Sequence, residues 1–347
     1  MSRSLVTGGA GYFGELLAHR LLASGEAVRI LDLNRTDLRA IEQVTGDIRD
    51  STTVAQACEG IDVVYHNVAQ VPLAKDSHLF SSVNEDGTRI LLEESRKACV
   101  RKVVYTSSSA VFGVPDKNPV TRATPPKPAE AYGRAKLAGE EFCRKAVKSG
   151  LDVSVVRPRT ILGHSRLGIV QILFDWVSTG RDVPVFNGGN NIYQFVHADD
   201  VAWACIAAGR RPGFAVYNIG AECFGTMREL LEALIRHAKS PSRIKSLPMV
   251  PMQIMMSAAS RLGLSPLAPY HALMYGRDLY FDISDAQREL GYRPHYTNET
   301  AICQSYDWYI ANRDNVHIKG ASHHRSAVRK GILALTPTLL KLLPDAA

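Results

Sequence analysis

Glycines at positions 8, 11 and 14 leave this chain few folds to choose from. Arg3 to Thr7 is a short apolar strand that runs directly into Thr7-Gly8-Gly9-Ala10-Gly11-Tyr12-Phe13-Gly14, and a helical pattern follows from Glu15 to Ser24. Such spacing lets backbone approach a pyrophosphate and sets the anion on a helix N-terminus. Val28 to Asp32 then reads as a second strand, ending in a carboxylate eighteen residues after Gly14. A carboxylate there binds the ribose hydroxyls of an adenosine and repels a 2′-phosphate. A lone glycine triplet is an ordinary turn. Strand, glycines, helix, strand and acid in this order specify dinucleotide binding. Asp32 selects NAD over NADP, although Arg35, just beyond, is placed to accept a 2′-phosphate.

The first 160 residues continue the alternation, with strands expected near 3–7, 27–32, 43–46, 62–67, 102–107 and 152–157. Alternation of this kind predicts an α/β fold whose parallel sheet is covered by helices on both faces. Phe112 to Ala129 carries five prolines and reads as a loop, either a pocket wall or plain surface. Beyond Pro158 the pattern predicts a helix over Ile169 to Thr179, short strands at Val183–Phe186 and Gln194–Val196, and a helix over Asp199 to Ala208. A last strand is expected at Val216–Ile219, and Thr226 is placed to cap a helix Met227–His237.

Tyr132-Gly133-Arg134-Ala135-Lys136 lies in a proline-free stretch rich in Ala, Glu, Lys and Leu, so Tyr132 and Lys136 share a helix face. Phenol titrates near 10, and bringing it down by about three units takes roughly 4 kcal/mol of favourable interaction with the phenolate. A close, buried ammonium is one source of that interaction. Such a tyrosine passes a proton to or from a substrate oxygen near neutral pH. A surface helix that merely carries Tyr and Lys would do nothing of the kind. The serine run Ser107-Ser108-Ser109 sits a short loop upstream.

Together these motifs resemble the extended short-chain dehydrogenase/reductases, the NAD-dependent epimerase/dehydratase superfamily, over roughly residues 3 to 312. The glycine run matches TGxxGxxG and Tyr132/Lys136 matches YxxxK. Thr106 to Gly113 resembles the strand-end serine motif, with Ser108 at the catalytic position. Gly46-Asp47-Ile48 resembles the element that contacts adenine. Asn67-Val68-Ala69 resembles the segment that lines the cofactor, and Asn84, Arg157-Pro158 and Phe195 to Val201 match further landmarks. The resemblance implies a Rossmann-type doubly wound parallel sheet with a smaller C-terminal substrate lobe. It implies NAD bound by Gly8, Gly11, Tyr12, Phe13, Gly14, Asp32, Asp47, Ile48, Asn67, Ala69, Asn84, Tyr132, Lys136 and Pro158. Ser108 would hydrogen-bond the substrate oxygen, Tyr132 would act as acid and base, and Lys136 would hold the nicotinamide ribose. A homodimer seam on Leu79–Ala98 and Ala129–Lys148 is implied as well.

Departures from the family bear on the substrate. Dehydratases carry an Asp-Glu pair where this chain has Ser109 and Ala110. Nucleotide-sugar epimerases carry an Asn at Thr160 and an Arg near Tyr193-Gln194, both diphosphate contacts; Asn187, Asn190, Asn191 and Arg159 are the available substitutes. The 3β-hydroxysteroid dehydrogenase and sterol-decarboxylase relatives lack those anchors. A sugar and a sterol-like alcohol both stand as substrates, and a non-catalytic cofactor-sensing scaffold is the alternative of another class. Survival of Ser108, Tyr132 and Lys136 speaks for an enzyme.

Composition narrows the setting. Six scattered cysteines without a CxxC pair suit a reducing compartment and give no zinc pattern. With the first strand at residue 3 and no apolar run of membrane-spanning length, a cytoplasmic protein is expected. Of the net charge of +7, the segment from Arg313 onward holds +4, which reads as a basic tail and excludes a nucleic-acid groove. That tail is leucine-rich, so it can lie on an anionic membrane surface, dock on its own domain or stay disordered. Pro248 to Tyr275 concentrates five of seven methionines, either lobe core or an apolar substrate wall. The expected organisation is 1–163 for the cofactor, 164–312 for the substrate lobe, and 313–347 for the tail.

Overall fold

The computed structural model describes residues 2–38, 41–70, 80–165, 170–261, 274 and 276–313. The tail 314–347, and with it the membrane reading, lies outside the described residues, as do residues 262–273 of the methionine-rich stretch Pro248 to Tyr275. Among the described residues no helix is long and apolar enough to cross a membrane.

Seven strands form the central sheet: β1 (Arg3–Thr7), β2 (Ala27–Asp32), β3 (Glu42–Thr45), β4 (Val63–His66), β5 (Lys102–Thr106), β6 (Val153–Pro158) and, much later in the chain, Ala215–Ile219. Their spatial order runs from Ala215–Ile219 through β6, β5, β4, β1 and β2 to β3, and every pairing is parallel. The order reverses between β1 and β4, so a crevice opens at the carboxyl ends of those strands, where ligands of doubly wound sheets sit. Side-chain alternation divides the core by face. Leu5, Leu31, Val64, Val103 and Val155 pack on one side with Leu91, Leu92 and Cys143. Val6, Ile30, Tyr65, Val104 and Val156 pack on the other with Leu17, Leu21, Val201 and Cys205. Burial on both faces explains why most of these strands carry Val, Ile and Leu on both sides rather than alternating with polar residues.

On the first side lie the helices Ser51–Cys58, Gly87–Lys97 and Ala131–Lys148; on the second lie Tyr12–Ala23 and Ala198–Arg210. Arg20 and Asp199 join that last pair at 2.8 Å. Thr226 caps Met227–His237 through a full capping box with Glu229. The sequence reading had no helix at Met249–Arg261, yet one forms there, with Pro251 tolerated in its first turn. Met249, Met252 and Met256 rest on Phe186 and Leu247, while Val250 and Ile254 face outward.

The proline-rich loop is tied to a segment late in the chain. Val120 N–H donates to the Tyr280 carbonyl (2.8 Å), Asp282 N–H donates back to Val120 (2.9 Å), and Asn118 bonds both Asp278 and Tyr280. Arg122 adds ion pairs to Asp285 and Glu289. Residues 278–289 thereby clasp the loop that connects Ser108 to Tyr132.

Candidate active site

The glycine turn is shaped by close approach. Gly8 takes a φ of +71° and a side chain there would meet the backbone of Val68; a Cβ at Gly14 would collide with the Gly8 carbonyl oxygen. Gly11 caps the helix Tyr12–Ala23 without a side-chain bond. Asp32 reaches across to the turn, accepting from Ala10 N–H (3.1 Å) and from Asn34 N–H (2.9 Å). Tyr12 is buried, Phe13 is half-buried, and Arg35 is exposed with no ion pair among the described residues.

Several of the other expected cofactor contacts are held by protein partners. Asp47 forms a fork with Arg49 (2.6 Å), which holds its carboxyl below the usual range, and Arg49 also reaches Ser82. Ile48 is buried against Gly87. Asn67 accepts from Thr106 Oγ1 (2.6 Å), which orients it beside half-buried Ala69. Asn84 is buried and grips the Gln70 backbone at both ends, accepting from its N–H (2.7 Å) and donating to its carbonyl (3.0 Å). Its role is to shape the segment that follows β4.

Ser108, the Lys136 ammonium and the helix turn that carries Tyr132 lie at the carboxyl end of β5. Ser108 Oγ accepts from Ala110 N–H (3.1 Å) and so starts the tight turn Ser109–Phe112, leaving its own O–H to donate elsewhere. The helix Ala131–Lys148 begins at Glu130, whose carboxylate accepts from Tyr132 N–H (2.8 Å) and Gly133 N–H (2.6 Å). Gly133 lies so close to the Ala110 carbonyl that no Cβ fits between them, and Gly139 sits equally tight on the Tyr105 hydroxyl. These two glycines seat the helix on the strand end, so the Tyr132 turn abuts the Ser108 turn. Lys136 is buried; its ammonium donates to the Thr106 carbonyl (2.7 Å) and lies 4.9 Å from the Tyr105 ring centroid. Burial pushes its pKa down to about 8. Two N–H groups of that ammonium remain for a ligand or for Tyr132.

Three features were not read from the sequence. Glu140, one turn beyond Lys136, is fully buried in a bidentate pair with Arg157 (2.7 and 2.5 Å), and Ser107 donates to the same carboxylate (2.7 Å). Glu130 as helix cap is the second. The third is His66, buried at the end of β4 between Thr7 (2.8 Å) and Thr88 (2.9 Å). Thr88 spends its proton on the Asn84 carbonyl, so His66 donates from Nε2 and accepts at Nδ1. Burial first, and then the Lys136 charge, push its pKa down to about 3.

A folded value far below the unfolded one means the unfolded chain takes the proton first. The stability His66 contributes is complete above pH 6.5 and is lost as pH falls toward 3, at up to about 1.4 kcal/mol per pH unit. Urea midpoints at pH 7, 5 and 4 should therefore fall more steeply in wild type than in His66→Asn. Parallel slopes would sink this account.

His164, His197 and Asp199 also gather within 4.8 Å. His197 Nδ1 accepts the Asp199 N–H, its other nitrogen faces Gln304, and Asp199 pairs with Arg20, so His197 and Asp199 are engaged with the protein.

A family model described as NAD dependent epimerase/dehydratase family matches residues 4–220. A protein of Sinorhizobium fredii named y4nG is 58% identical over 98% of this chain and 87% of its own. A UDP-glucose 4-epimerase of Mycolicibacterium smegmatis is 33% identical over 69% of this chain and 83% of its own. Sterol demethylase protein B of Methylococcus capsulatus is 30% identical over 88% and 98%. Among solved structures, a Thermus thermophilus UDP-glucose 4-epimerase in complex with NAD superposes with a TM-score of 0.72 at 25% identity, covering 89% of this chain and 99% of that one. The chain belongs to the NAD-dependent epimerase/dehydratase family, and is an NAD-dependent enzyme of the oxidoreductase and epimerase type.

Proposed function

We propose that this enzyme moves hydride between nicotinamide and a secondary alcohol or ketone carbon, with Tyr132 carrying the proton. The observation that supports it best is the seating of the Tyr132 turn on the Ser108 turn, with Lys136 fixed to the carbonyl that ends the same strand.

The cofactor cradle fits a dinucleotide. The Gly8–Gly14 turn has no room for a Cβ, and the helix behind it starts without a side-chain cap. In this reading Gly8, Gly11, Tyr12, Phe13 and Gly14 hold the pyrophosphate, Asp32 the adenosine ribose, and Asp47 with Ile48 the adenine. Asn67, Ala69 and Pro158 line the nicotinamide half, and Asn84 acts through Gln70. Bound NAD supplies the hydride acceptor or donor. Ser108 donates its free O–H to the substrate oxygen. Tyr132 removes the proton of an alcohol in oxidation and returns it in reduction. Lys136, still largely protonated at pH 7 with its value near 8, favours the tyrosinate.

Two of the side chains expected to replace diphosphate anchors are spent on the fold: Asn191 bonds the Arg277 carbonyl and Asn187 accepts from Met249. Gln194, at the place of the missing Arg, is buried and bonds Ala221 and Phe281. Thr160 Oγ1 lies 3.0 Å from the Tyr193 hydroxyl. This counts against a nucleotide sugar bound in the way of an epimerase, and for a substrate gripped otherwise. The substrate lobe over 164–312 and a homodimer seam on Leu79–Ala98 and Ala129–Lys148 belong to the same proposal.

The test is purified protein given NAD and a panel of sugar nucleotides and sterol-like alcohols, followed by NADH absorbance and mass spectrometry. Stoichiometric NADH with a product lighter by two hydrogens identifies a dehydrogenase, and additional loss of carbon dioxide a decarboxylating one. Unchanged mass without net NADH identifies an epimerase. Failure to bind NAD at all would overturn the proposal.

A further inference from the structure

Among the substitute anchors, Arg159 is the buried charge whose hydrogen-bonding capacity the described residues use only in part. It follows β6 by one residue, at the carboxyl edge of the sheet, and is 1% exposed. Its Nη1 donates to Ser109 Oγ (2.9 Å), the residue next to Ser108. Its guanidinium carbon lies 4.7 Å from the Tyr193 ring centroid and 5.5 Å from that of Phe281. Nε and Nη2 have no hydrogen-bond partner, and no carboxylate pairs with Arg159 among the described residues.

Arg157, two residues earlier, shows what that edge is for. Its Nε and Nη2 are the two atoms that hold Glu140 bidentately. These nitrogens form one planar fork on the guanidinium, matched to a carboxylate or to two oxygens of a phosphoryl group. On Arg159 the same fork is open. An arginine does not escape burial by losing its proton, so a buried, unpaired guanidinium carries a desolvation cost that calls for an anion. Cation–π contact with two rings offsets part of that cost but satisfies neither N–H.

We propose that Arg159 is a substrate-binding residue: its Nε/Nη2 fork receives an oxyanion of the substrate, a carboxylate or phosphoryl group, beside the serine that holds the reacting oxygen. The inference rests on reading Ser108, Tyr132 and Lys136 as the catalytic centre. Tyr193 and Phe281 then fix the guanidinium plane, Ser109 fixes its third nitrogen, and the substrate enters as an acid rather than as a neutral alcohol. This also accounts for a site that carries Thr160 and Gln194 in place of the usual anchors, because the charge is met from β6 instead.

The experiment is thermal melting of the NAD-saturated protein at constant ionic strength, with chloride replaced stepwise by acetate or by inorganic phosphate. Wild type should show a saturable rise of roughly 1–3 °C with one of the two anions. Arg159→Met, which keeps length without charge, and Arg159→Lys, which keeps charge without the fork, should both lose the rise. Acetate as the effective anion assigns a carboxylate, and phosphate a phosphoryl group. No rise in wild type, or a rise retained in either variant, overturns the proposal. NAD titration of all three proteins separates the two readings: absent NAD binding in wild type refutes the catalytic centre, whereas intact binding without the anion response refutes the role of Arg159 alone. Should Arg159→Met fail to fold, wild type against Arg159→Lys still decides.

Discussion

Tyr132→Phe is expected to lower kcat by about 10²- to 10⁴-fold while NAD binding is retained. The change removes a single hydroxyl from a half-buried side chain. Glu130 holds the Tyr132 turn through backbone N–H groups, so the helix start does not depend on that hydroxyl. What is lost, on the proposed mechanism, is the atom that exchanges a proton with the substrate oxygen. Steady-state turnover on the substrate found in the panel, with NAD affinity measured in parallel, gives the answer. Turnover that survives undiminished would refute Tyr132 as the acid/base.

Glu140→Ala has the largest expected effect on stability. It strips the counter-charge from Arg157, which is buried, and leaves the Ser107 hydroxyl without its acceptor. Breaking one side of a buried pair costs about 3–5 kcal/mol, because the remaining charge is stranded. Urea unfolding should show that loss, and the double variant Glu140→Ala/Arg157→Met should recover part of it. A single-variant loss below about 1 kcal/mol would show that water reaches Arg157. NAD affinity should fall with it, since Glu140 and Lys136 share a helix face and Ser107 adjoins Ser108.

The strands of the sheet were legible to within a residue or two because burial on both faces makes them rich in Val, Ile and Leu between turn residues. Thr226 and its helix were legible because capping is local chemistry, readable from residues three apart. Met249–Arg261 was not, since a proline in the first turn and apolar side chains on its outward side hide the helical period. Glu140 and Arg157 meet across seventeen residues and two elements, and a pairing of that kind leaves no trace in a linear pattern. Arg159 was visible only as one of four substitutes. What separates it from Asn187 and Asn191 is the set of partners each side chain acquires on folding, which sequence does not contain.

The clasp of residues 278–289 on the proline-rich loop sets an order of assembly. A nascent chain that has left the ribosome only as far as residue 160 already carries Ser108, Tyr132 and Lys136, together with six of the seven sheet strands. Its N-terminal half can gather first, as chains of this size fold in stages during synthesis. Val120 must still wait for Tyr280 and Asp282, and Arg122 for Asp285 and Glu289. The proposed catalytic residues are thus made early, and the loop that joins Ser108 to Tyr132 is tied down late, so products truncated before residue 278 keep that loop untethered.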